Sequence, residues 1–290
     1  MRVVVLGATG VIGRALLPLL AAEHDVVAVS RQPREPADGI RWAAADVASG
    51  EGLAEALDGA EVVHYLVHSL GEGDFERKDR AAAANLSRAA KAAGVRQVVY
   101  LGGLGGEGEE ASAHLRSRRE TGRVLAADGV PVTELRAAMV VGAGSAAFET
   151  IQGLVKRLPV MVTPSWVSTP TQPIALADVA RYLAGVTGRE ETYGEGYDTG
   201  GPEVMTYRGM IERIARILGR RPLIVEVPLL TPALSALWLE LVTPVNAAVA
   251  RPLVEGLRSP TVAREERIRT VVPFELTPFD AAARQALAAR

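Results

Sequence analysis

The stretch VVVLGATGVIGR, residues 3–14, contains four apolar residues, three glycines at three-residue spacing and the first residues of a longer apolar run. The four apolar residues at positions 3–6 predict a strand that is buried on both faces, as in a parallel sheet. The apolar run over residues 11–20 predicts a helix. This stretch therefore predicts a strand, a glycine turn and a helix in direct succession.

The three glycines of the turn match the pattern of a dinucleotide-binding unit. Gly7 permits the sharp turn, Gly10 lets the backbone approach a pyrophosphate, and Gly13 lets the helix pack closely against the sheet. The free N–H groups and the positive dipole end of the helix would hold the phosphates. The expected cofactor contacts in this turn are Gly7, Ala8, Thr9, Gly10, Val11, Ile12 and Gly13.

The composition is that of an ordinary globular protein. Of the 290 residues, 48% are hydrophobic and 23% are charged, which is enough for one large α/β domain or one domain with an added lobe. The formal net charge of −2 gives no bulk attraction to nucleic acid or to anionic lipid. We therefore expect a small-molecule substrate or a protein partner, and no nucleic acid.

Two residue types restrict the chemistry further. The chain has no cysteine, which excludes disulfides, thiolate metal sites and a cysteine nucleophile. The four histidines lack the spacing of metal ligands, so no metal site is expected. The first strand begins directly after Met1 and Arg2, which leaves no room for a signal peptide, and a cytoplasmic location is expected.

Strands and helices alternate over the first half of the chain. Strands are predicted at residues 25–29, 40–43, 61–66, 97–101 and 130–135, and helices at residues 51–57, 74–93 and 112–127. Strands that alternate with helices at this spacing indicate a parallel sheet with right-handed crossovers. The predicted fold class is therefore α/β, a Rossmann-type doubly wound parallel sheet with a smaller C-terminal substrate lobe.

The pattern becomes looser after Gly142, where short elements alternate with prolines. Helices are predicted at residues 148–157, 176–185 and 206–218, and a strand at residues 197–199. We expect residues 1–142 to form the NAD(P)-binding core and residues 143–290 to form a substrate lobe interwoven with it in a single structural unit.

Residues 228–250 are strongly apolar, and Glu240 is their only charged residue. A spanning helix needs about 20 apolar residues. Three prolines and Glu240 interrupt this run, so no transmembrane segment is expected. The preferred interpretation is a helix over residues 233–241 that covers the substrate cleft, while peripheral membrane contact or an apolar substrate remains open.

The end of the second strand carries Ser30 and Arg31. Many NAD-binding units have an acidic residue at this position, which accepts hydrogen bonds from the ribose 2′-OH. A carboxylate would repel a 2′-phosphate, whereas the guanidinium of Arg31 can bind it. The sequence therefore predicts NADP(H) in preference to NAD(H).

The carboxyl ends of the first strands should meet in one crevice, where ligands of open α/β sheets bind. Asp46 is a candidate for the adenine edge, although it could equally begin the following helix. The further cofactor contacts expected in this crevice are Asp46, Val47, Leu66, Val67, Gly102 and Ala137.

The chain resembles the short-chain dehydrogenase/reductase superfamily in its extended or atypical, NmrA-like branch. The matching motifs are GATGVIG at residues 7–13, Asp46-Val47, Asn85, AAGV at residues 92–95, PI…DV at residues 173–179 and TGGP at residues 199–202. Two further motifs, YLVHS at residues 65–69 and HLRSR at residues 114–118, are similar to a bacterial subgroup of NAD(P)H-binding proteins. The resemblance implies a Rossmann fold and a nicotinamide cofactor, and Asn85 would help to shape the active site.

The chain departs from the catalytic pattern of that superfamily. Active members carry a Ser at the end of the fifth strand and a Tyr-x-x-x-Lys on the next helix, whereas this chain has Gly102-Gly103 and His114-x-x-x-Arg118. The resemblance implies that Arg118 binds the nicotinamide ribose, but Arg118 stays protonated and cannot act as a base. His114 could donate a proton in place of the phenol, and Tyr65 and His68 are alternative donors.

Three functions therefore remain open. The first is an NADP(H)-dependent oxidoreductase that acts on a small apolar carbonyl, enone or quinone-like substrate. The second is a non-catalytic NADP(H) sensor or an assembly or regulatory protein that kept the cofactor site. The third is epimerisation or dehydration with a tightly held cofactor.

Overall fold

A computed structural model describes residues 1–36, 39–69, 74–105, 112–226 and 259–289 of the protein. Its strands in chain order are β1 (Arg2–Leu6), β2 (Asp25–Ser30), β3 (Arg41–Ala44), β4 (Val62–Tyr65), β5 (Gln97–Gly103), β6 (Val132–Ala137), β7 (Val140–Val141), β8 (Val160–Thr163), β9 (Pro170–Thr171), β10 (Ile174–Ala175), β11 (Gly196–Thr199), β12 (Met205–Thr206) and β13 (Leu223–Glu226). Its α-helices are α1 (Val11–Ala21), α2 (Leu53–Ala56), α3 (Phe75–Ala92), α4 (Ala113–Leu125), α5 (Ala146–Arg157), α6 (Leu176–Gly185), α7 (Tyr207–Ile217), α8 (Arg267–Val271) and α9 (Phe279–Ala288).

Seven strands form the central sheet in the order β11-β6-β5-β4-β1-β2-β3. Every pair in this sheet is parallel, and the apolar strands β1, β4 and β5 lie in its middle. The chain runs outward from β1 through β2 to β3 and then returns to β4 on the other side of β1. Strand order therefore reverses between β1 and β4, and ligands of open α/β sheets bind at such a reversal. The predicted Rossmann-type parallel sheet is confirmed.

Helices cover both faces of this sheet because alternate side chains of each strand point to opposite faces. One core cluster contains Val3 and Val5 of β1 with Leu16 of α1 and Leu183 of α6. The cluster on the other face contains Val4 and Leu6 of β1 with residues of α2, α3 and α4. Both clusters are almost completely buried, as expected for a parallel sheet.

A third core cluster belongs to the second half of the chain. It joins α5, α7 and α9 with Met161 of β8, and Phe148, Met161 and Met210 are at most 1% exposed. Around it lie three two-stranded sheets, β7 with β10, β9 with β12, and β8 with β13. The sequence predicted none of these six strands, because they contain only two to four residues and carry little periodicity. In the second half of the chain it predicted only β11, which belongs to the central sheet.

The two halves of the chain share the central sheet. Strand β11 pairs with β6 as the outermost strand, and α6 packs against α1. Asp198 on β11 accepts a hydrogen bond from Nε of Arg136 on β6 at 2.8 Å. The second half therefore completes the nucleotide-binding core as well as forming a lobe of its own.

The apolar stretch at residues 228–250, predicted to cover the substrate cleft, lies outside the described residues. In the part of the chain that the structure does describe, no helix is long and apolar enough to cross a membrane.

Candidate functional site

The glycine turn after β1 has the geometry that the sequence predicted. Gly7 has φ +85°, and a Cβ on it would lie 2.8 Å from the carbonyl oxygen of Leu66. A Cβ on Gly13 would lie 2.4 Å from the carbonyl oxygen of Gly7. Both positions therefore require glycine for the fold itself, Gly7 for its backbone conformation and Gly13 for the contact between helix and turn.

Gly10 differs from Gly7 and Gly13 because a side chain there would approach only one atom of the described residues. A Cβ there would meet only the carbonyl oxygen of Gly7, at 3.2 Å, and its φ of −72° is accessible to any residue. Gly10 is also the N-cap of α1, and no side chain caps this helix. The first amides of α1 therefore have no partner within the helix and are available for an anion.

A cavity of about 590 Å³ opens at the end of the glycine turn. Its walls come from the turn, the ends of β4, β5 and β6, and helices α4, α5 and α7. Most of the lining is apolar, and Arg118 is the one charged side chain among the described residues that line it. The cavity has the size and the apolar character of a small-molecule site. Its lining includes the predicted cofactor contacts Gly7, Gly10, Val11, Ile12, Gly13, Leu66, Arg118 and Ala137.

Arg118 lies on α4 with its guanidinium at the cavity wall. The side chain is only 8% exposed, and its carbon Cζ lies 4.9 Å from the centre of the Tyr100 ring. Its Nη2 donates to the carbonyl oxygen of Leu101, whereas Nη1 is buried without a hydrogen-bond partner among the described residues. A buried cationic donor without a partner is unfavourable, so Nη1 is suited to an oxygen of a bound molecule.

His114 and His68 line the same cavity. Burial, Arg118 and His68 together lower the pKa of His114 to about 3. Burial and Arg118 also lower the pKa of His68, and Asp79 opposes this in part. At neutral pH both imidazoles are therefore uncharged, and each can donate a hydrogen bond from one ring nitrogen.

The loop that carries His68 is held by Asp79 on α3. One carboxylate oxygen of this buried residue accepts the backbone N–H of Ser69 at 2.7 Å, and the other accepts the hydroxyl of Ser117 at 3.3 Å. Ser117 immediately precedes Arg118 on α4. Asp79 therefore ties the loop after β4 to the helix that carries Arg118 and His114.

Tyr65 does not belong to this site, which corrects its prediction as a proton donor. Its side chain is 0% exposed and packs in the core cluster on the α2–α4 face, with its ring centre 6.1 Å from that of Tyr100. Burial raises the pKa of its hydroxyl, which is therefore a poor acid. Tyr65 does not line the cavity, because successive side chains of β4 alternate between the two faces of the sheet.

The other predicted cofactor contacts lie outside this cavity. Ser30 and Arg31 are at the end of β2, where Arg31 is exposed and makes no ion pair with the described residues. Asp46 accepts the N–H of Ala48 within its own turn at 2.8 Å. Among the remaining predicted contacts, Ala8 is buried in the core and Thr9 is exposed. The side chains of Val47 and Val67 pack in the core cluster on the α2–α4 face. Gly102 also lies outside the cavity lining.

Asn85 lies away from the cavity and holds the loop that follows β3. Its Nδ2 donates to the carbonyl oxygens of Val47 and Ala48, both at 3.0 Å. Its Oδ1 accepts from Arg88 at 2.7 Å. In this chain Asn85 therefore fixes the loop next to Asp46 instead of contributing to the cavity wall.

The end of β5 shows why the serine of the superfamily is missing. A Cβ on Gly103 would lie 2.9 Å from Cδ2 of Leu115, and a Cβ on Gly102 would lie 2.5 Å from Oε1 of Glu134. Side chains from α4 and β6 already fill the space that a serine would need. The structure therefore excludes a hydroxyl at this place unless its neighbours move.

Sequence reasoning missed four hydroxyl-bearing residues that line the cavity, Ser145, Thr150, Tyr207 and Thr261. Tyr207, at the start of α7, and Thr261 belong to one hydrogen-bonded group. Hydrogen bonds join the Tyr207 hydroxyl to Thr171 and Thr261, and Thr261 donates to Thr171 at 2.7 Å. Burial raises the pKa of Tyr207. These residues are far apart in the sequence and belong to no motif, so no local signal pointed to them.

Residues 7–150 match the protein family described as NAD(P)H-binding. This range begins at the first glycine of the turn and includes β4, β5, β6 and α4, which form most of the cavity. Residues 7–150 belong to the NAD(P)H-binding family. The glycine turn, the free amides of α1 and the unpaired Nη1 of Arg118 fit such a cofactor.

Comparisons with individual proteins agree with this family. The chain is 29% identical over 225 residues to the (4-alkanoyl-5-oxo-2,5-dihydrofuran-3-yl)methyl phosphate reductase of Streptomyces griseus. The aligned region covers 75% of this chain and 74% of that protein. The fold is that of the NADPH-dependent quinone oxidoreductase of Escherichia coli, with a TM-score of 0.79, 20% identity and coverage of 99% and 100% of the two chains. The Citrobacter triphenylmethane reductase in complex with NADP(H) gives a TM-score of 0.78 at 19% identity, again over 99% and 100%. The two solved structures confirm the Rossmann-type fold, and the family match and the relative are consistent with the atypical short-chain dehydrogenase/reductase superfamily.

Proposed function

We propose that this NAD(P)H-binding protein is an NADP(H)-dependent reductase of an apolar conjugated carbonyl compound, an enone or a quinone-like molecule. One observation carries the proposal: a cavity with mainly apolar walls joins the glycine turn to Arg118, His114 and His68. The apolar walls favour an apolar substrate, and the three polar side chains favour an oxygen on it.

The cofactor would be held by backbone and side-chain groups of the first half of the chain. The free amides of α1 bind the pyrophosphate, and Arg118 donates from Nη1 to the nicotinamide ribose. Arg31 binds the 2′-phosphate, since it is exposed at the end of β2 and is not engaged by the described residues. When bound, the cofactor supplies a hydride.

The protein's own residues act on the substrate oxygen. Hydride addition to an enone carbon moves electron density onto the carbonyl oxygen, and one proton then completes the reduction. His114 and His68 are neutral at pH 7 and donate hydrogen bonds to this oxygen, while the fixed charge of Arg118 stabilises its negative charge. Because each imidazole is neutral, it holds the oxygen by a hydrogen bond and is itself a weak acid, so the proton that completes the reduction comes from solvent.

The substrate class is supported by the names of the relatives. The Streptomyces griseus relative is named as a reductase of a dihydrofuranone, in which a carbon–carbon double bond is conjugated with carbonyl groups. The Escherichia coli protein is named for quinones and the Citrobacter protein for triphenylmethane dyes, which are conjugated acceptors as well. A conjugated acceptor is the feature that these names share.

Steady-state reduction of a cyclic enone and of 1,4-benzoquinone by NADPH tests the proposal. With saturating cofactor, we expect His114→Ala or His68→Ala to lower kcat about 10²-fold, because each change removes a hydrogen bond to the negatively charged oxygen. The affinity for NADPH should change little, and His24→Ala is the control because His24 does not line the cavity. Loss of less than tenfold in both variants would exclude histidine catalysis. A wild type that binds NADPH tightly but reduces neither probe would favour the sensor instead.

The preference for NADP(H) is tested at Arg31. Arg31→Ala should weaken NADPH binding by about ten- to hundredfold and leave NADH binding unchanged, because a charge-assisted phosphate contact contributes about 1.5–3 kcal/mol. Arg34→Ala is the neighbouring control, since the Arg34 guanidinium already lies over the Trp42 ring, 5.1 Å from its centre. Titration of both cofactors by fluorescence gives the four affinities. Equal binding of NADPH and NADH by the wild type would contradict the prediction.

A further inference from the structure

Strands β8 and β13 form a separate parallel ribbon on the C-terminal lobe. Their register places Val160 beside Leu223 and Val162 beside Val225. These four side chains are 48%, 61%, 40% and 41% exposed in that order, whereas Met161 on the other face is fully buried. The ribbon is therefore apolar on both faces, although only its inner face packs against the core cluster of the lobe.

This outer face concentrates exposed apolar side chains. Seven large hydrophobic residues of the described chain are exposed, and four of them lie here. Single exposed apolar residues are ordinary on protein surfaces, but a contiguous group rimmed by polar residues marks a contact surface.

Basic residues cluster at one end of the same ribbon. The two strands are parallel and begin side by side, so the residues that precede them meet at this end. Arg157 precedes β8, and Arg220 and Arg221 precede β13, all three exposed. Residues 150–163 and 213–225 contain no acidic residue, and the flanking Glu212 and Glu226 are paired with Arg208. This end of the ribbon is therefore basic.

We propose that the outer face of the β8–β13 ribbon is a peripheral contact for an anionic lipid surface. Apolar side chains beside a basic group provide the two contributions to such binding, burial in the interface and attraction to anionic headgroups. Within the described residues the ribbon has only these two strands, so each has an edge of unpaired backbone groups, which cannot enter hydrocarbon without cost. The contact therefore lies at headgroup level and inserts only side chains.

A second copy of this chain is a poorer occupant. A stable interface covers about 800 Å² on each partner, and four half-exposed aliphatic side chains provide much less. The face also lacks the aromatic anchors that dominate most protein contacts.

The ribbon is directly connected to the cavity wall. Helix α5 leads into β8, and α7 leads towards β13, and both helices line the cavity. Contact through the ribbon would hold the substrate lobe at the membrane surface, where apolar compounds accumulate. The proposal does not depend on catalysis and stands if the protein only binds its cofactor.

Vesicle co-sedimentation of the full chain tests this surface. We expect binding to vesicles of phosphatidylcholine with phosphatidylglycerol, weaker binding to phosphatidylcholine alone, and a decrease as salt screens the charges. Arg220→Gln/Arg221→Gln should lower partitioning about twenty- to thirtyfold. Val162→Thr/Val225→Thr should lower it about tenfold and keeps the β-branched shape that strands favour.

Two control variants carry the same changes elsewhere. Val204→Thr alters a side chain that is 56% exposed and lies outside the ribbon. Lys91→Gln/Arg123→Gln removes two exposed charges, one from α3 and one from α4. NADPH binding and circular dichroism verify that each variant is folded. Equal partitioning of the ribbon and control variants would overturn the proposal, as would a wild type that ignores anionic vesicles at low salt. A wild-type dimer that Val162→Thr/Val225→Thr dissociates would identify a second copy as the occupant and would equally overturn it.

Discussion

Three glycines in one turn differ in what a side chain would meet at each position. At Gly7 and Gly13 an added Cβ would strike the backbone, at 2.8 Å and 2.4 Å respectively. At Gly10 it would meet one carbonyl oxygen at 3.2 Å and otherwise project into space next to the free amides of α1. The spacing predicted a separate function for each glycine, and the structure agrees for Gly7 and Gly13, while the approach of a pyrophosphate to Gly10 stays a prediction.

Gly10→Val is therefore expected to abolish NADPH binding while the protein stays folded. Its branches would occupy the space that a pyrophosphate needs, and the φ of −72° imposes no strain. Gly13→Ala is the comparison, because its Cβ would displace the turn and lower the free energy of unfolding by about 1–3 kcal/mol. Fluorescence titration and thermal unfolding measure the two effects. Tight binding by Gly10→Val would show that the cofactor lies elsewhere.

Strand β4 shows how alternation separates structural from functional side chains. His64 and Tyr65 are adjacent in sequence, and both are fully buried on opposite faces of the sheet. The Thr187 hydroxyl donates to the carbonyl oxygen of Leu183, so His64 donates to Thr187 from Nε2 at 3.0 Å. His64 is thus a neutral core residue, as alternation along the strand indicated, and it plays no part in the cavity.

Burial lowers the pKa of His64 to about 3, which makes stability depend on pH. The folded pKa lies below the unfolded value of about 6.5, so between these values the unfolded chain binds a proton that the folded chain does not. Stability therefore falls as the pH falls from about 6.5 towards 3. This one group should remove about 2 kcal/mol between pH 7 and pH 5.

Urea unfolding at pH 7 and pH 5 measures this contribution. His64→Gln should reduce the loss of stability between the two pH values by about 2 kcal/mol, although it destabilises the protein at both. Thr187→Val is the control because it removes the hydrogen bond but leaves the imidazole in place. An unchanged pH dependence in His64→Gln would contradict the assignment.

At the scale of the whole molecule, the second half of the chain is part of the nucleotide-binding core. Buried Gln97 on β5 donates from Nε2 to the carbonyl oxygen of Val186 and to the hydroxyl of Thr192, at 3.0 Å and 3.2 Å. Asp178 on α6 accepts both the N–H and the hydroxyl of Thr277, at 2.7 Å and 3.0 Å. Asp178 therefore anchors the segment before α9 to α6.

A fragment of residues 1–142 is therefore expected not to fold cooperatively. It would lack β11 and expose the face of α1 that α6 covers. Buried Gln97 would keep its bond to Thr133 but lose those to Val186 and Thr192. Thermal denaturation of the fragment should show no sharp transition, whereas the full chain should unfold cooperatively. A cooperative transition together with NADPH binding by the fragment would contradict this.

The sequence by itself determined the strand–glycine–helix unit, the order of the first six strands and the helices between them. These features depend on local periodicity and on glycines whose requirement is set within a few residues. It also placed His114 and Arg118 one helical turn apart, and both line the same cavity in the structure.

The tertiary structure alone decided that Tyr65 is in the core, that Leu115 fills the space beside Gly103, and that Tyr207 and Thr261 reach the cavity. It also added β11 and α6 to the core. Alternation tells which side chains share a face but not which face borders the cavity, and pairings between distant segments are fixed only when the chain packs.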